Sequence, residues 1–118
     1  MADLVTDGTT LMLALTRIER LEGFRGDLHA PLDAVTGVRA VEDPWAELRG
    51  LRAPGTGLPG VIAVGTRRGS FGKDFAAVHG KGPAVVVELA GQEFERWMLT
   101  VDDPAAVVAR VARPTRSA

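Results

Sequence analysis

Five basic side chains lie close together in the middle of the chain, on two neighbouring segments rich in glycine: Arg49, Arg52, Arg67, Arg68 and Lys73. Guanidinium groups present a fork of donors that matches phosphate and carboxylate, and glycine-rich backbone can add N–H donors. One interpretation is therefore a pocket that binds an anion or phosphate and is built on Arg49, Arg52, Arg67 and Arg68. Such a pocket could also serve as an enzymatic site.

The same arginines have acidic neighbours that could pair with them instead. Asp43, Glu47 and Asp74 are close in sequence, and ion pairs with these carboxylates would brace a long loop. We favour this structural interpretation of the arginines. Trp45 belongs to the same segment and is a further candidate for contact with a partner, because tryptophan is enriched at interaction hot spots as well as in cores.

The residue sets that catalysis, metal binding or cofactor binding require do not assemble in the sequence. The chain has no cysteine, which excludes disulfides and thiolate chemistry. The segment Gly55–Gly60 has the spacing G-x-G-x-x-G, but a β-favouring run follows it where dinucleotide binding needs a helix. Asp27 and His29 share one face of a strand, yet no further ligand accompanies them. We therefore expect a non-enzymatic protein without metal or cofactor.

The charge balance argues against nucleic acid as a partner. The chain has 14 basic and 15 acidic residues, so no overall field attracts it to nucleic acid or to an anionic membrane. Its apolar runs are too short to span a bilayer, and its acidic N-terminus does not resemble a signal peptide. These features predict a cytoplasmic protein without a transmembrane segment, and nothing in them supports peripheral membrane contact.

The elements that must position these side chains are predicted to be short strands, at residues 9–16, 27–31, 35–43, 61–66, 75–79, 83–89 and 93–101. The short turns between the later strands imply antiparallel hairpins. Residues 17–23 predict one or two helical turns, and Asp103 followed by Pro104 predicts a helix that ends before Pro114. Trp97 follows Phe94 by three positions, which in a regular strand predicts opposite faces and one exposed aromatic ring.

The fold class that follows is mainly β (α+β): a small antiparallel split barrel or sandwich of about seven strands, capped by one C-terminal helix. We expect an N-terminal arm at residues 1–8, a single domain at 9–113 and a C-terminal tail at 114–118.

The order of elements supports a family resemblance across most of the chain. It is carried by the apolar first strand, the step Pro31–Val35 into the next strand, the glycine-rich middle, the strand Pro83–Leu89 and the helix entry Val101–Pro104. This order resembles the bacterial pleckstrin-homology-like (PH-like) domains. The resemblance implies a split barrel whose relatives bind phosphoinositides, peptides or proteins. No phosphoinositide motif carries over residue by residue, and the segment Pro44–Gly60 is longer than a minimal domain requires.

The sequence is therefore consistent with two alternative functions. The first is a non-enzymatic binding or interaction module of PH-like type that recognises a protein or peptide, through an open sheet edge or through Pro44–Gly60. Self-association is compatible with it. The second is the anion pocket, which requires the arginines to converge on a concavity without a carboxylate that already pairs with them.

Overall fold

Residues 2–17, 19, 26–58 and 61–116 are described by the structure, a computed structural model, with 51–58 and 112–116 described through their backbone. The described residues form nine strands in two sheets, a four-residue helix and a longer C-terminal helix. The predicted helical turns at 17–23 lie largely outside these residues.

Alternating apolar residues near the N-terminus form a three-stranded antiparallel sheet. Its strands are β1 (Asp3–Thr6), β2 (Thr10–Ala14) and β3 (Leu28–Pro31), paired in that order. Leu4, Leu11 and Leu13 are buried on one face, as a period of two requires. The segment 1–8, which we expected to be an arm, thus contains a strand, because Leu4 packs into the core.

The second sheet has six strands in the spatial order β4-β8-β9-β7-β6-β5. Their bounds are β4 (Val35–Val41), β5 (Leu51–Leu58), β6 (Ile62–Gly69), β7 (Gly72–His79), β8 (Ala84–Leu89) and β9 (Arg96–Thr100). The three residues before β4 form a 3-10 turn. The mainly β fold with one C-terminal helix is confirmed, whereas the strand number is nine and the sheets do not close into a barrel in the described part of the chain.

One strand pair departs from the expected antiparallel pattern. β9 is antiparallel to β8 but parallel to β7, with Asp74 opposite Arg96 and Ala77 opposite Leu99. β7 and β8 follow one another in the chain, but in the sheet they are separated by the width of one strand. The hairpin between β8 and β9 places β9 in that space. Short turns alone do not reveal such an insertion.

The glycine-rich middle, which we interpreted as a loop, contains the edge strand β5. Before it lies the helix α1 (Pro44–Glu47), whose first turn is capped by the Asp43 carboxylate accepting from Trp45 N at 3.2 Å. β5 pairs with β6, and the register shifts between Arg52 and Gly55. Pro54 lies inside this irregularity, at the edge of the sheet, where a missing N–H is tolerated.

The C-terminal helix α2 (Pro104–Arg116) begins as predicted, with Asp103 Oδ1 accepting from Ala106 N at 3.2 Å. It continues through Pro114, where we expected it to end. A proline near the end of a helix keeps a helical φ and removes one backbone hydrogen bond. The helical backbone can therefore continue past it.

Both faces of the six-stranded sheet are buried along its central strands, β7, β8 and β9. One face packs against the three-stranded sheet and α2 around Phe75, Val87 and Trp97. The other face, around Val78 and Met98, is covered by Trp45 and Leu48. Phe94 and Trp97 are 3% and 2% exposed, so the prediction of one exposed ring is wrong: Phe94 precedes β9 and turns inward with Trp97.

Candidate functional site

Arg49 lies just before β5 and is held by a carboxylate of β7. Its Nε is 2.6 Å from Asp74 Oδ2 and its Nη2 is 3.0 Å from Asp74 Oδ1, which is the two-pronged geometry of a strong charge-assisted pair. This hydrogen bonding with Asp74 raises the pKa of Arg49 further above its ordinary value. The predicted ion pair between a loop arginine and Asp74 is confirmed.

A second guanidinium shares the same carboxylate. Arg96 Nε lies 3.2 Å from Asp74 Oδ2, and Arg96 Nη2 donates to the Glu47 carbonyl oxygen at 2.6 Å. Asp74 is 5% exposed and Arg96 is 9% exposed, so the pair is screened little by solvent. The register of the parallel β7–β9 pair places these two residues opposite one another.

Glu47 extends the network toward the other edge of the sheet. Its Oε1 accepts from Arg39 Nη2 at 2.8 Å and lies 3.8 Å from Arg96 Nη1. The hydrogen bond from Arg39 is the main cause that lowers the pKa of Glu47 below its ordinary value. We call the whole set, with Arg67, the arginine corner: Arg39, Glu47, Arg49, Arg67, Asp74 and Arg96.

Arg67 fixes the backbone at the start of β5. Its Nε donates to the Arg49 carbonyl oxygen at 3.0 Å and its Nη2 donates to the Gly50 carbonyl oxygen at 3.1 Å. Gly50 has a φ of 78°, and a Cβ there would lie 2.5 Å from the Arg68 carbonyl oxygen. Only glycine allows this turn to approach β6 so closely.

The remaining predicted site residues are separated by the fold. Arg52 pairs through its backbone with Arg67, and its side chain lies outside the described atoms. Arg68 is exposed near the end of β6. Trp45 is half-buried and donates from Nε1 to the Gly80 carbonyl oxygen at 2.6 Å. Lys73 precedes Asp74 on β7, so strand alternation directs it to the opposite face, where its Nζ lies 3.1 Å from Glu93 Oε2.

These contacts weaken the case for the anion pocket. That interpretation requires arginines without a carboxylate partner, whereas Arg49 is paired with Asp74 and Arg67 binds two backbone carbonyls. The geometry therefore favours the bracing role, in which the arginines hold the start of β5 in place. A ligand-binding role for this set stays a prediction.

Sequence reasoning missed two buried charged residues. Arg96 lies within the predicted strand 93–101, and its type and spacing do not distinguish it from Glu95, which also lies between Phe94 and Trp97 but is exposed. Glu19 is 1% exposed and accepts from Thr16 N at 2.8 Å, while Thr16 Oγ1 accepts from Glu19 N at 3.2 Å. The spacing T-x-x-E is the signature of this capping box.

No protein-family model, curated protein or solved structure matches the chain significantly. Within the described residues, no group of three or more histidine or carboxylate side chains is arranged to hold a metal ion. No helix in the same part of the chain is both long and apolar enough to cross a membrane. The argument for function therefore depends on the geometry of the sheet edge and of the side chains beside it.

Proposed function

We propose that this chain is a non-enzymatic binding module of PH-like type that takes up an extended peptide segment of a partner protein along the outer edge of β5. The observation that supports the proposal is the position of β5 at the end of the six-stranded sheet. In the described part of the chain it is hydrogen-bonded on one side only, to β6. An added strand would continue the sheet through main-chain hydrogen bonds.

β5 suits this role better than the other sheet edges. The helix α2 packs against β4 and β1, which are edge strands of their sheets. β3 is four residues long, whereas β5 has eight, a length of about 26 Å at 3.3 Å per residue. A longer edge offers a peptide more backbone donors and acceptors.

The regular part of β5 is the segment from Gly55 to Leu58, which pairs in unbroken register with residues 62–65. Gly55 and Gly57 carry no Cβ, so they cannot shield the backbone from an incoming strand. The arginine corner fixes the start of β5 through Arg67, which reduces the ordering that binding would otherwise have to impose.

The first test is a selection of peptides from a random displayed library, followed by hydrogen–deuterium exchange of the complex. A bound strand should slow exchange of outward-directed amides within 51–58. At free peptide concentrations of 100 times Kd, protection should rise about 100-fold where local opening controls exchange. Protection confined to other strands, or no selected peptide at all, would overturn the proposal.

A pair of proline variants sharpens the test. Neighbouring residues of a strand direct their N–H groups to opposite sides, so only one of Thr56 and Gly57 donates toward β6. Of Thr56→Pro and Gly57→Pro, the variant that loses the N–H directed toward β6 should reduce the stability of the β5–β6 pair. The variant that loses the N–H directed outward should keep wild-type stability and abolish peptide binding. Unchanged binding in the stable variant would exclude β5 as the docking edge.

A further inference from the structure

The hydrogen bonding between β6 and β7 fixes the direction of the main-chain groups of β6. In an antiparallel pair, opposite residues alternate between pairs that exchange two hydrogen bonds and pairs that exchange none. Gly80 N donates to the Val61 carbonyl oxygen at 2.7 Å, and these two residues lie opposite one another where the β6–β7 register continues by one step. Val61 therefore directs its main chain toward β7, and by alternation Ile62 and Val64 direct theirs toward β5.

The same alternation identifies the main-chain groups on the outer edge of β5. The β5 residues opposite that pair of β6 residues are Leu58 and Thr56, which therefore bind β6. Gly55 and Gly57 alternate with them along the strand, so the N–H and C=O groups of the two glycines point away from the sheet. In the described part of the chain, these are the groups that an added strand would meet.

The segment 55–58 lacks the features that usually protect a sheet edge. Proteins commonly place charged side chains or proline on an edge strand, because these prevent pairing with another chain. The sequence Gly-Thr-Gly-Leu carries no charge, whereas Pro54 precedes it and Pro59 follows it. Since proline has no N–H to donate, the two prolines confine the docking segment to residues 55–58.

The two glycines determine which side chains this edge favours. On one face of an added strand, the peptide side chains lie beside Gly55 and Gly57, which carry no Cβ. The β6 residues directly opposite them are Gly65 and Ala63, so no side chain larger than a methyl group lies opposite on that face. An aromatic ring that lies across a glycine of the neighbouring strand replaces the cross-strand contact that the glycine lacks. Large peptide side chains should therefore be preferred at these positions.

We propose that the segment bound by β5 is an antiparallel strand with a large side chain, aromatic or β-branched, at each of the two residues opposite Gly55 and Gly57. One residue separates these two positions. Each of them exchanges two hydrogen bonds with its glycine, so the same two peptide residues require both a large side chain and a free N–H. This inference rests on the proposed function and specifies the partner of the same edge.

The test uses a blocked peptide of defined sequence, acetyl-Glu-Thr-Phe-Thr-Phe-Thr-Lys-amide, titrated into the full-length protein. NMR follows the amides of 51–58. Replacing both Phe residues by Ala should weaken binding about tenfold, which is the effect expected from the loss of two cross-strand contacts. A peptide of the same composition with the two Phe residues adjacent is the control, and it should bind about threefold more weakly, because only one ring can then lie opposite a glycine.

N-methylation of the peptide tests the hydrogen bonds separately from the side chains. N-methylation of either Phe removes an N–H that should bind a glycine carbonyl oxygen, and it should weaken binding at least tenfold. N-methylation of the Thr between them should change binding less than twofold, because its N–H points away from β5.

A variant of the protein tests the same contact from the other side. Gly57→Val supplies a side chain on the face where glycine has none. Replacing the first Phe by Ala should cost about threefold with the wild-type protein and less than twofold with this variant. The matched control is Ala40→Val, which adds the same side chain at an exposed position of the edge strand β4 and should leave the wild-type ratio unchanged. If Gly57→Val perturbs the fold, the two peptide series with the wild-type protein decide the question alone.

The outcomes separate this inference from the proposed function. Shifts in 51–58 with equal affinity for the Phe and Ala peptides would overturn the preference for large side chains and leave the binding edge intact. Loss of binding on N-methylation of the central Thr, rather than of the Phe residues, would overturn the antiparallel register alone. Shifts confined to other strands, or no binding of any peptide, would overturn the binding edge and this inference together.

Discussion

Lys73 and Asp74 are neighbours on β7, yet they belong to two regions of opposite character. Each region joins a carboxylate, a cation and an aromatic ring. In the arginine corner Asp74 binds Arg49, whose guanidinium carbon lies 3.9 Å from the centroid of Phe71. The second region is the cavity wall, by which we mean Glu93 and Phe94 at the edge of a surface cavity, where Lys73 binds Glu93 beside the Phe94 ring.

The difference between the two regions is the burial of the carboxylate. The Asp74 side chain is 6% exposed and accepts from two guanidinium groups, whereas the Glu93 side chain is 47% exposed beside an open cavity. Removal of a buried carboxylate that binds two cations greatly lowers the free energy of unfolding, whereas an exposed ion pair contributes little to it. The same chemistry therefore braces the fold in one place and contributes little to stability in the other.

The largest effect should follow from removing the charge of Asp74. Asp74→Asn leaves the buried Arg96 with only the more distant Glu47 carboxylate, at 3.8 Å, and we expect the free energy of unfolding to fall by about 3 kcal/mol. Glu93→Gln, the matched change at the cavity wall, should alter it by less than about 0.5 kcal/mol. Urea unfolding of both variants measures the contrast. Equal losses would show that burial does not separate the two regions.

A smaller effect is expected from two glycines, one in each region. Gly50 and Gly91 both have positive φ, of 78° and 69°, but only at Gly50 would a Cβ meet neighbouring backbone. Gly50→Ala should cost about 2 kcal/mol, from backbone strain and the clash with Arg68. Gly91→Ala, in the loop between β8 and β9, should cost about 1 kcal/mol from strain alone. Thermal and urea unfolding distinguish them, and equal costs would contradict a close approach at Gly50.

The smallest effect concerns the pH dependence of the corner. The pKa of Glu47 in the folded protein is lowered, chiefly by its hydrogen bond with Arg39. The stabilisation that ionised Glu47 contributes is therefore present above its pKa in the unfolded chain and is lost as pH falls through its pKa in the folded protein. The pair is partly exposed, so Glu47→Gln should cost about 0.5 kcal/mol at pH 6 and progressively less in acid. Urea unfolding from pH 6 downward tests this.

The control for that prediction is the titration of the Glu47 carboxyl carbon by NMR. Arg39→Gln removes the main cause of the shift, so the pKa of Glu47 should rise toward its ordinary value. An unchanged titration in this variant would assign the lowered pKa to Arg96 instead.

Much of the fold could be predicted from local pattern. The alternation in β2, the apolar run of β8 and the pairing of Asp103 with Pro104 each depend on neighbours in sequence. β5 could not be predicted in this way, because its proline and glycines are typical of a loop and become strand only where β6 supplies a partner. The PH-like character of the fold stays a prediction.

The site was predicted in part. The pair of Arg49 with Asp74 followed from opposite charges on neighbouring segments, but the participation of Arg96 depends on the parallel register of β7 and β9. Its place in the sequence groups Lys73 with the arginines. The alternation of β7 sends it to the other face instead.

Local sequence is sufficient to predict a mainly β chain with a C-terminal helix and a cluster of arginines near acidic partners, because composition, alternation and capping act over a few residues. The burial of particular charges, the edge position of β5 and the cavity beside Glu93 become visible only in the folded chain. These features depend on which strands become neighbours, and strand order is set by packing between residues that are distant in the chain.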